Sequence, residues 1–257
     1  LSPLSNSPFL RVLSIERCGL HDIDLLPLKD CPYMEKFSIR MNKLESIDLT
    51  PFANHRFIKN IDIGGNDIKH IDLTPLSGSD IEELVMSYND IESIDLNPLS
   101  NCTRLKSIGL AGHNLRSIDF EPIRGLKSLE FIHLSSNPIK NIDFSPLSDC
   151  LSLRKIIMLD NKLEHLDLGQ LASCNSMEEL NLHGHCLKEI DLWPLTKFKN
   201  LKRLEISEHP IRNIDITPII LHDIKYEYLS LLNYRRVSMF RPKTCERNLR
   251  KVRVANY

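Results

Sequence analysis

The chain has 257 residues, 42% of them hydrophobic and 26% charged, and its formal net charge is −1. This composition is typical of a soluble globular protein. No apolar run approaches the ~20 residues that cross a bilayer, and no basic stretch followed by an apolar segment opens the chain. The sequence therefore predicts neither a membrane span nor a signal peptide.

Residues 1–9 are predicted to be the end of a truncated leading repeat, because Leu1-Ser2-Pro3-Leu4 matches the second half of the unit that follows. The chain also starts without methionine. We interpret the sequence as a trimmed product or an excerpt, in which any targeting segment would be absent.

Residues 10–223 are predicted to be nine consecutive repeats of one unit. The spacing is 24 residues throughout, except that the third unit has 23. The shared pattern is L-x-x-L-x-L-x-x-N-x-L-x-x-I-D-L-x-P-L-x-x-C. A fixed period of this length indicates a solenoid of stacked units. The units begin at Leu10, Met34, Ile58, Ile81, Leu105, Leu129, Leu153, Met177 and Leu201.

This pattern resembles the leucine-rich repeats, over roughly residues 1–223. The resemblance implies an α/β fold, a right-handed solenoid or horseshoe. A parallel β-sheet would line its concave side, and short helices or 3₁₀ turns its convex side. It also implies that an asparagine at position nine turns inward and bonds the backbone of adjacent repeats. That ladder would consist of Asn42, Asn66, Asn89, Asn137 and Asn161, interrupted by Cys18, His113, His185 and His209.

Position fifteen is aspartate in all nine units, and position eighteen is proline in eight, Gln170 being the exception. A capping residue such as Thr50 before the proline predicts a helix or 3₁₀ turn that starts there. A single-file row of carboxylates does not converge on one point as calcium ligands must. We therefore expect each aspartate to accept backbone N–H groups in an Asx-type turn.

The strongest candidate for a reactive cluster is His183-Gly184-His185-Cys186. Its two histidines are predicted to point to opposite sides of the sheet, and His133 lies two repeats away, roughly 10 Å at strand spacing. Neither arrangement brings two nitrogens to ~2 Å from one zinc ion. No phosphate loop or nucleophile motif is present either. The sequence predicts no catalytic residue, metal, cofactor or small-molecule substrate.

The chain has seven cysteines, an odd number, and four of them occupy the same repeat position. Buried small apolar residues behave in this way. We expect all seven to be reduced, in a cytoplasmic protein. The four at position twenty-two are Cys31, Cys102, Cys150 and Cys174.

The outward strand positions of repeats four to eight carry apolar and aromatic side chains where a solvated strand would be polar. Ser107, Gly109, Ala111 and Gly112 in repeat five predict a shallow valley between them. Such a patch is typical of an interaction surface. The alternative is that these residues pack on one another across neighbouring strands. The predicted partner-binding residues are Val85, Tyr88, Phe131, His133, Ile157, Leu159 and His183, with Tyr88 and Phe131 as anchors.

Residues 224–257 break the period and are predicted to be a capping segment with a basic tail. The segment begins with one further strand or helix. Its net charge is +7, so residues 1–223 carry −8. The alternatives are a solvated cap or a linker to a missing domain, and a contact with an acidic partner, a membrane surface or nucleic acid.

These observations predict a non-catalytic protein–protein interaction scaffold that binds a partner on its concave face, within a larger intracellular regulatory protein. The alternative is the substrate-recognition arm of a multidomain enzyme whose catalytic domain lies outside this chain. Repeat solenoids carry many unrelated functions, so the pattern does not name the partner.

Overall fold

The computed structural model describes residues 1–53, 55–221, 226–231 and 236–238. Within these residues, ten strands of three residues form one parallel sheet in which each strand pairs with the next repeat's strand. They are β1 (Val12–Ser14), β2 (Lys36–Ser38), β3 (Asn60–Asp62), β4 (Glu83–Val85), β5 (Ser107–Gly109), β6 (Phe131–His133), β7 (Lys155–Ile157), β8 (Glu179–Asn181), β9 (Arg203–Glu205) and β11 (Tyr228–Ser230).

The middle residue of each strand points into the core, and its two neighbours point outward. Phe37, Ile61 and Leu84 pair in register and are at most 1% exposed. Because successive strand residues face opposite sides, the spacing of the leucine positions dictates this sheet. The leucine-rich-repeat solenoid predicted from the sequence is confirmed.

The convex side carries 3₁₀ turns of three to five residues rather than long helices. Among the described residues, the one α-helix has five residues, α1 (Thr217–Leu221). The 3₁₀ turns are Ser2–Asn6, Leu26–Asp30, Thr50–Phe52, Thr74–Leu76, Asn97–Leu99, Glu121–Ile123, Ser145–Asp149, Leu168–Leu171 and Trp193–Lys197.

The aspartate row starts these turns. The Asp48 carboxylate accepts the Thr50 backbone N–H at 2.8 Å, and the same bond recurs at 2.8–2.9 Å in all nine units. The predicted Asx-type turns are therefore confirmed. The prediction that Thr50 itself caps the turn is wrong, because Thr50 is the first residue of the turn, Leu49 is at the N-cap, and Asp48 accepts the Thr50 backbone N–H.

Hydrogen bonding outweighs repulsion along this row. The bonds from Thr50 lower the pKa of Asp48 below its usual value, although neighbouring Asp72 acts in the opposite direction. Asp72 and Asp143 have lowered pKa values for the same reason, from Thr74 and Ser145. A line of like charges is tolerated because each carboxylate is satisfied locally.

The six cysteines in the described part of the chain are free thiols. The four at position twenty-two are fully buried. All four donate to a carbonyl of the preceding unit, as Cys102 does to Leu76 at 3.2 Å and Cys174 to Leu147 at 3.4 Å. Burial raises the pKa of Cys174 to about 12, so this thiol stays protonated and behaves as a small apolar residue.

The C-terminal segment extends the sheet instead of only covering its end. Strand β11 pairs with β9 in parallel, and β12 (Arg236–Ser238) pairs with β10 (Asn213–Asp215) in a second, two-stranded sheet. Apart from Arg236, the basic residues of the tail lie outside the described residues, so the hypothesis that the tail binds an acidic partner stays a prediction. No helix in the described ranges is long and apolar enough to span a membrane.

Candidate protein-binding face

The outward residues of β4 to β7 form one row across the concave sheet. Val85 pairs with Gly109, Gly109 with His133, and His133 with Ile157. Val85, His133 and Ile157 are half-buried, whereas Gly109 is buried. The sheet therefore brings three of the predicted partner-binding residues into a continuous row.

Tyr88 lies just after β4 and is the most exposed of the predicted binding residues, at 62%. Its backbone is left-handed, with φ +61°. The ring lies on Gly112, where an added Cβ would sit 2.4 Å from the Tyr88 Cδ1 atom. The predicted open valley along repeat five is therefore wrong at this end, because Tyr88 fills it.

Phe131 lies at the other end of the strands and is half-buried. Its ring stacks on His133 with centroids 5.9 Å apart, and the Lys155 ammonium lies 5.4 Å from its centroid. Cross-strand packing thus accounts for part of its burial. Five residue positions and two strands separate it from Tyr88, so the two predicted anchors are on the order of 18 Å apart.

The remaining predicted residues are half-buried and engaged in hydrogen bonds along the same face. Ser135 Oγ contacts His133 Nε2 at 3.1 Å and accepts the Leu159 backbone N–H at 3.0 Å. His183 Nδ1 lies 2.8 Å from Ser207 Oγ. Burial, with a smaller contribution from Lys155, lowers the pKa of His133. Within the described ranges, no three His, Cys, Asp or Glu side chains are placed to hold a metal ion.

The five asparagines at position nine are buried, and each amide donates to backbone carbonyls of its own and the preceding repeat. In Asn66, the amide donates to Ile39 at 3.2 Å and Ile63 at 3.0 Å, and its oxygen accepts the Leu44 N–H at 3.2 Å. In Asn161 the oxygen has no hydrogen-bond partner among the described residues. These bonds satisfy buried backbone groups where the strand ends.

Histidine takes this slot in three repeats and bonds less. His113 contacts the Asn89 carbonyl through Nδ1 at 3.1 Å. In the described part of the chain, the ring nitrogens of His185 and His209 make no hydrogen bond of normal geometry, although backbone groups of Met158 and Leu182 lie close enough to raise the respective pKa values. Their rings stack with centroids 5.6 Å apart.

Sequence reasoning overlooked a charge row at position two of the unit, whose sign alternates without exception. Glu82 contacts Lys106 at 2.6 Å and Lys59 at 3.9 Å, and Glu178 contacts Arg154 at 2.6 Å and Lys202 at 3.1 Å. The row could have been found by aligning the units. It consists of Arg11, Glu35, Lys59, Glu82, Lys106, Glu130, Arg154, Glu178, Lys202 and Glu227.

The repeats of this chain match a known protein family. A family model described as a BspA-type leucine-rich repeat region matches residues 26–137 and 111–216, with six copies. The chain belongs to the BspA-type leucine-rich repeat family. Leucine-rich repeat domains generally mediate protein–protein interaction and are mostly non-catalytic modules. A search of curated proteins finds no match.

Solved structures show the same fold at low identity. An internalin from Listeria monocytogenes, InlF, is 20% identical with a TM-score of 0.64, over 88% of this chain and 68% of that chain. The functional domain of InlJ from the same organism, which includes a cysteine ladder, is 21% identical with a TM-score of 0.65. The match covers 91% of this chain and 51% of that chain. The TLR13 chain of the TLR13–ssRNA13 complex is 18% identical with a TM-score of 0.74, over 96% of this chain and 40% of that chain. This chain thus spans about half of the InlJ chain.

Proposed function

We propose that this chain is a non-catalytic protein-interaction scaffold whose concave face binds a partner protein across repeats four to eight. The observation that carries the proposal is the exposure of Tyr88, an aromatic side chain that is 62% exposed on the concave side. Its left-handed backbone is shared by the residue at this position in all eight other repeats, five of which are not glycine, so the repeat geometry accounts for that conformation. An exposed aromatic ring contributes little to the core and is available to a partner.

The surface beside Tyr88 supports the same conclusion. Val85 on β4, Ile157 on β7 and Leu159 just after β7 are half-buried apolar residues on the concave side. Apolar patches with aromatic residues near them are typical of interfaces. Because Tyr88 and Phe131 lie two strands and five residue positions apart, a partner that contacts both must span that part of the sheet, as a helix or extended segment does.

The compartment is part of the proposal. The free thiols and the four buried cysteines at one repeat position support a reducing, cytoplasmic environment for a regulatory protein. BspA-type leucine-rich repeat proteins are often bacterial surface proteins. The location therefore rests on the cysteines alone.

The test is partner capture by a Tyr88→Ala, Phe131→Ala double variant. Each aromatic anchor of an interface contributes ~2 kcal/mol, so we expect loss of both to lower the affinity by about a thousandfold. Partners recovered with wild-type protein are identified by mass spectrometry, and their affinities are then measured with purified proteins.

Trp193→Ala is the matched control, since Trp193 is a 51% exposed aromatic residue in a convex 3₁₀ turn. It should retain full affinity, and all variants should melt within a few degrees of wild type. Equal affinity for the double variant, or an equal loss with Trp193→Ala, would show that the concave face is not the binding surface.

A further inference from the structure

Glu205 lies on the concave face at the end of β9, where its side chain is 21% exposed. The strand register places it between Asn181 of β8 and Ser230 of β11. Two neutral groups donate to its carboxylate: Asn181 Nδ2 at 2.9 Å and Ser207 Oγ at 3.4 Å. An ionised carboxylate has about four acceptor sites, so roughly two are left for another donor.

The neighbouring carboxylate Glu179 has lysine and arginine partners, which Glu205 lacks within the described part of the chain. Glu179 contacts Lys155 at 2.9 Å and Arg203 at 3.8 Å. Among the described residues, no lysine or arginine forms an ion pair with Glu205, and its only basic neighbour is His183, at 3.7 Å. A largely buried carboxylate without a cation is unfavourable, which makes a cation its natural complement.

A shallow cavity of about 230 Å³ opens beside this carboxylate. Glu179, Asn181, Arg203 and Tyr228 line it, together with Leu180 and Leu204, whose buried side chains face the core. The Arg203 guanidinium already lies 5.3 Å from the Tyr228 centroid, so the ring presents a face that such a group can approach.

We propose that this cavity receives an arginine side chain of the partner protein, whose guanidinium pairs with the Glu205 carboxylate. The inference rests on the proposed function, because it assigns a chemical feature to the partner of the same concave face. It extends the partner's contact from His183 in repeat eight to Glu205 in repeat nine, 3.7 Å away. Arginine fits better than lysine, since its planar fork offers two N–H groups to the two unused acceptor sites.

The experiment is an NMR titration of the whole chain with Nα-acetyl-arginine methylamide, followed at the Asn181 side-chain amide and the Tyr228 and Glu205 signals. The matched probe is the citrulline analogue, which has nearly the same shape and no charge. We expect saturable shifts with arginine, with a dissociation constant on the order of 1 mM, and none with citrulline.

Two variants assign the site. Glu205→Gln keeps the shape and the acceptor for Asn181 but removes the charge, and it should weaken arginine binding about tenfold. Glu92→Gln, which neutralises an exposed carboxylate of repeat four, should leave binding unchanged. No saturable shift in wild type, equal shifts with citrulline, or unchanged binding by Glu205→Gln would each overturn the proposal.

The probe contacts neither Tyr88 nor Phe131, so the two hypotheses fail separately. A negative titration with successful partner capture removes the arginine site alone. If the titration is positive and the Tyr88→Ala, Phe131→Ala variant keeps full affinity for the partner, the two proposed anchors are wrong and the arginine site still stands.

Discussion

Repeats two to four and repeats eight and nine fill the same inward slot in two different ways. In the earlier repeats, Asn42, Asn66 and Asn89 fill it with amides that bond the backbone of two repeats. In the later repeats, the slot holds His185 and His209, whose rings stack without hydrogen bonds to the described residues. One backbone geometry is thus stabilised by polar bonding at one end and by burial at the other.

The difference appears in the protonation of the histidines. Burial lowers the pKa of both His185 and His209 to about 4, and nearby backbone carbonyls offset this only in part. A neutral ring is compatible with the stack, whereas two charged rings in contact would repel and lose solvation. The contribution of an amide does not depend on pH in this way. Lowering the pH should therefore destabilise the later repeats more than the earlier ones.

The largest expected effect is therefore an acid sensitivity of the later repeats. Both folded pKa values, about 4, lie below the ordinary 6.5, so the unfolded chain binds more protons between these values. Stability is complete above pH 6.5 and falls as pH drops toward 4, by roughly 3 kcal/mol per histidine. A His185→Asn, His209→Asn variant should lose this dependence, as measured by urea unfolding at pH 7 and pH 4.5.

His70→Asn is the control, because it alters an exposed histidine. His55 and His113 are also buried with lowered pKa values, and they contribute equally to all of these proteins. The test is therefore the difference between the double variant and wild type in the stability lost from pH 7 to pH 4.5. If the double variant is as acid-sensitive as wild type, the stacked pair is not the cause.

A smaller effect is expected from replacing the slot residue with leucine at each end. Asn89→Leu leaves the Ile68 N–H and the Ile63 and Met86 carbonyls without their partner, which should cost about 2–4 kcal/mol. His209→Leu removes no hydrogen bond among the described residues and should be close to neutral at pH 7. Midpoints from urea denaturation measure both, and similar losses at the two ends would contradict the distinction.

The smallest effect should be the same in both regions. Glu82→Lys and Glu178→Lys each place a third cation between two others in the charge row. Because these pairs are partly exposed, each change should cost less than about 1 kcal/mol and lessen with added salt. Melting temperatures at low and high salt give the comparison. Unequal losses would mean that the two regions differ in more than the inward slot.

The regular part of the molecule was predictable because it depends on local spacing. The period places Phe37, Ile61 and Leu84 in the core, and the repeated aspartates give the Asx-type turns. Thr50 was assigned the wrong role because the sequence does not reveal whether a residue's side chain or its backbone makes the capping bond. The small sheet of β10 and β12 pairs segments that no repeat pattern relates.

The candidate site was less predictable because it depends on contacts between repeats. The sequence identifies Tyr88 as an outward aromatic residue, but not that its ring covers Gly112. Likewise, Glu205 is an ordinary outward glutamate until the neighbours of its carboxylate are known. Side-chain direction and pairing are tertiary properties, and a single repeat does not encode them.

The alternating charge row also limits how the array can change in length. Loss of repeat five alone would bring Glu82 beside Glu130, two like charges in adjacent strands. Loss of repeats five and six together would bring Glu82 beside Arg154 and preserve the alternation. Duplications and deletions that keep every neighbour oppositely charged therefore involve an even number of units.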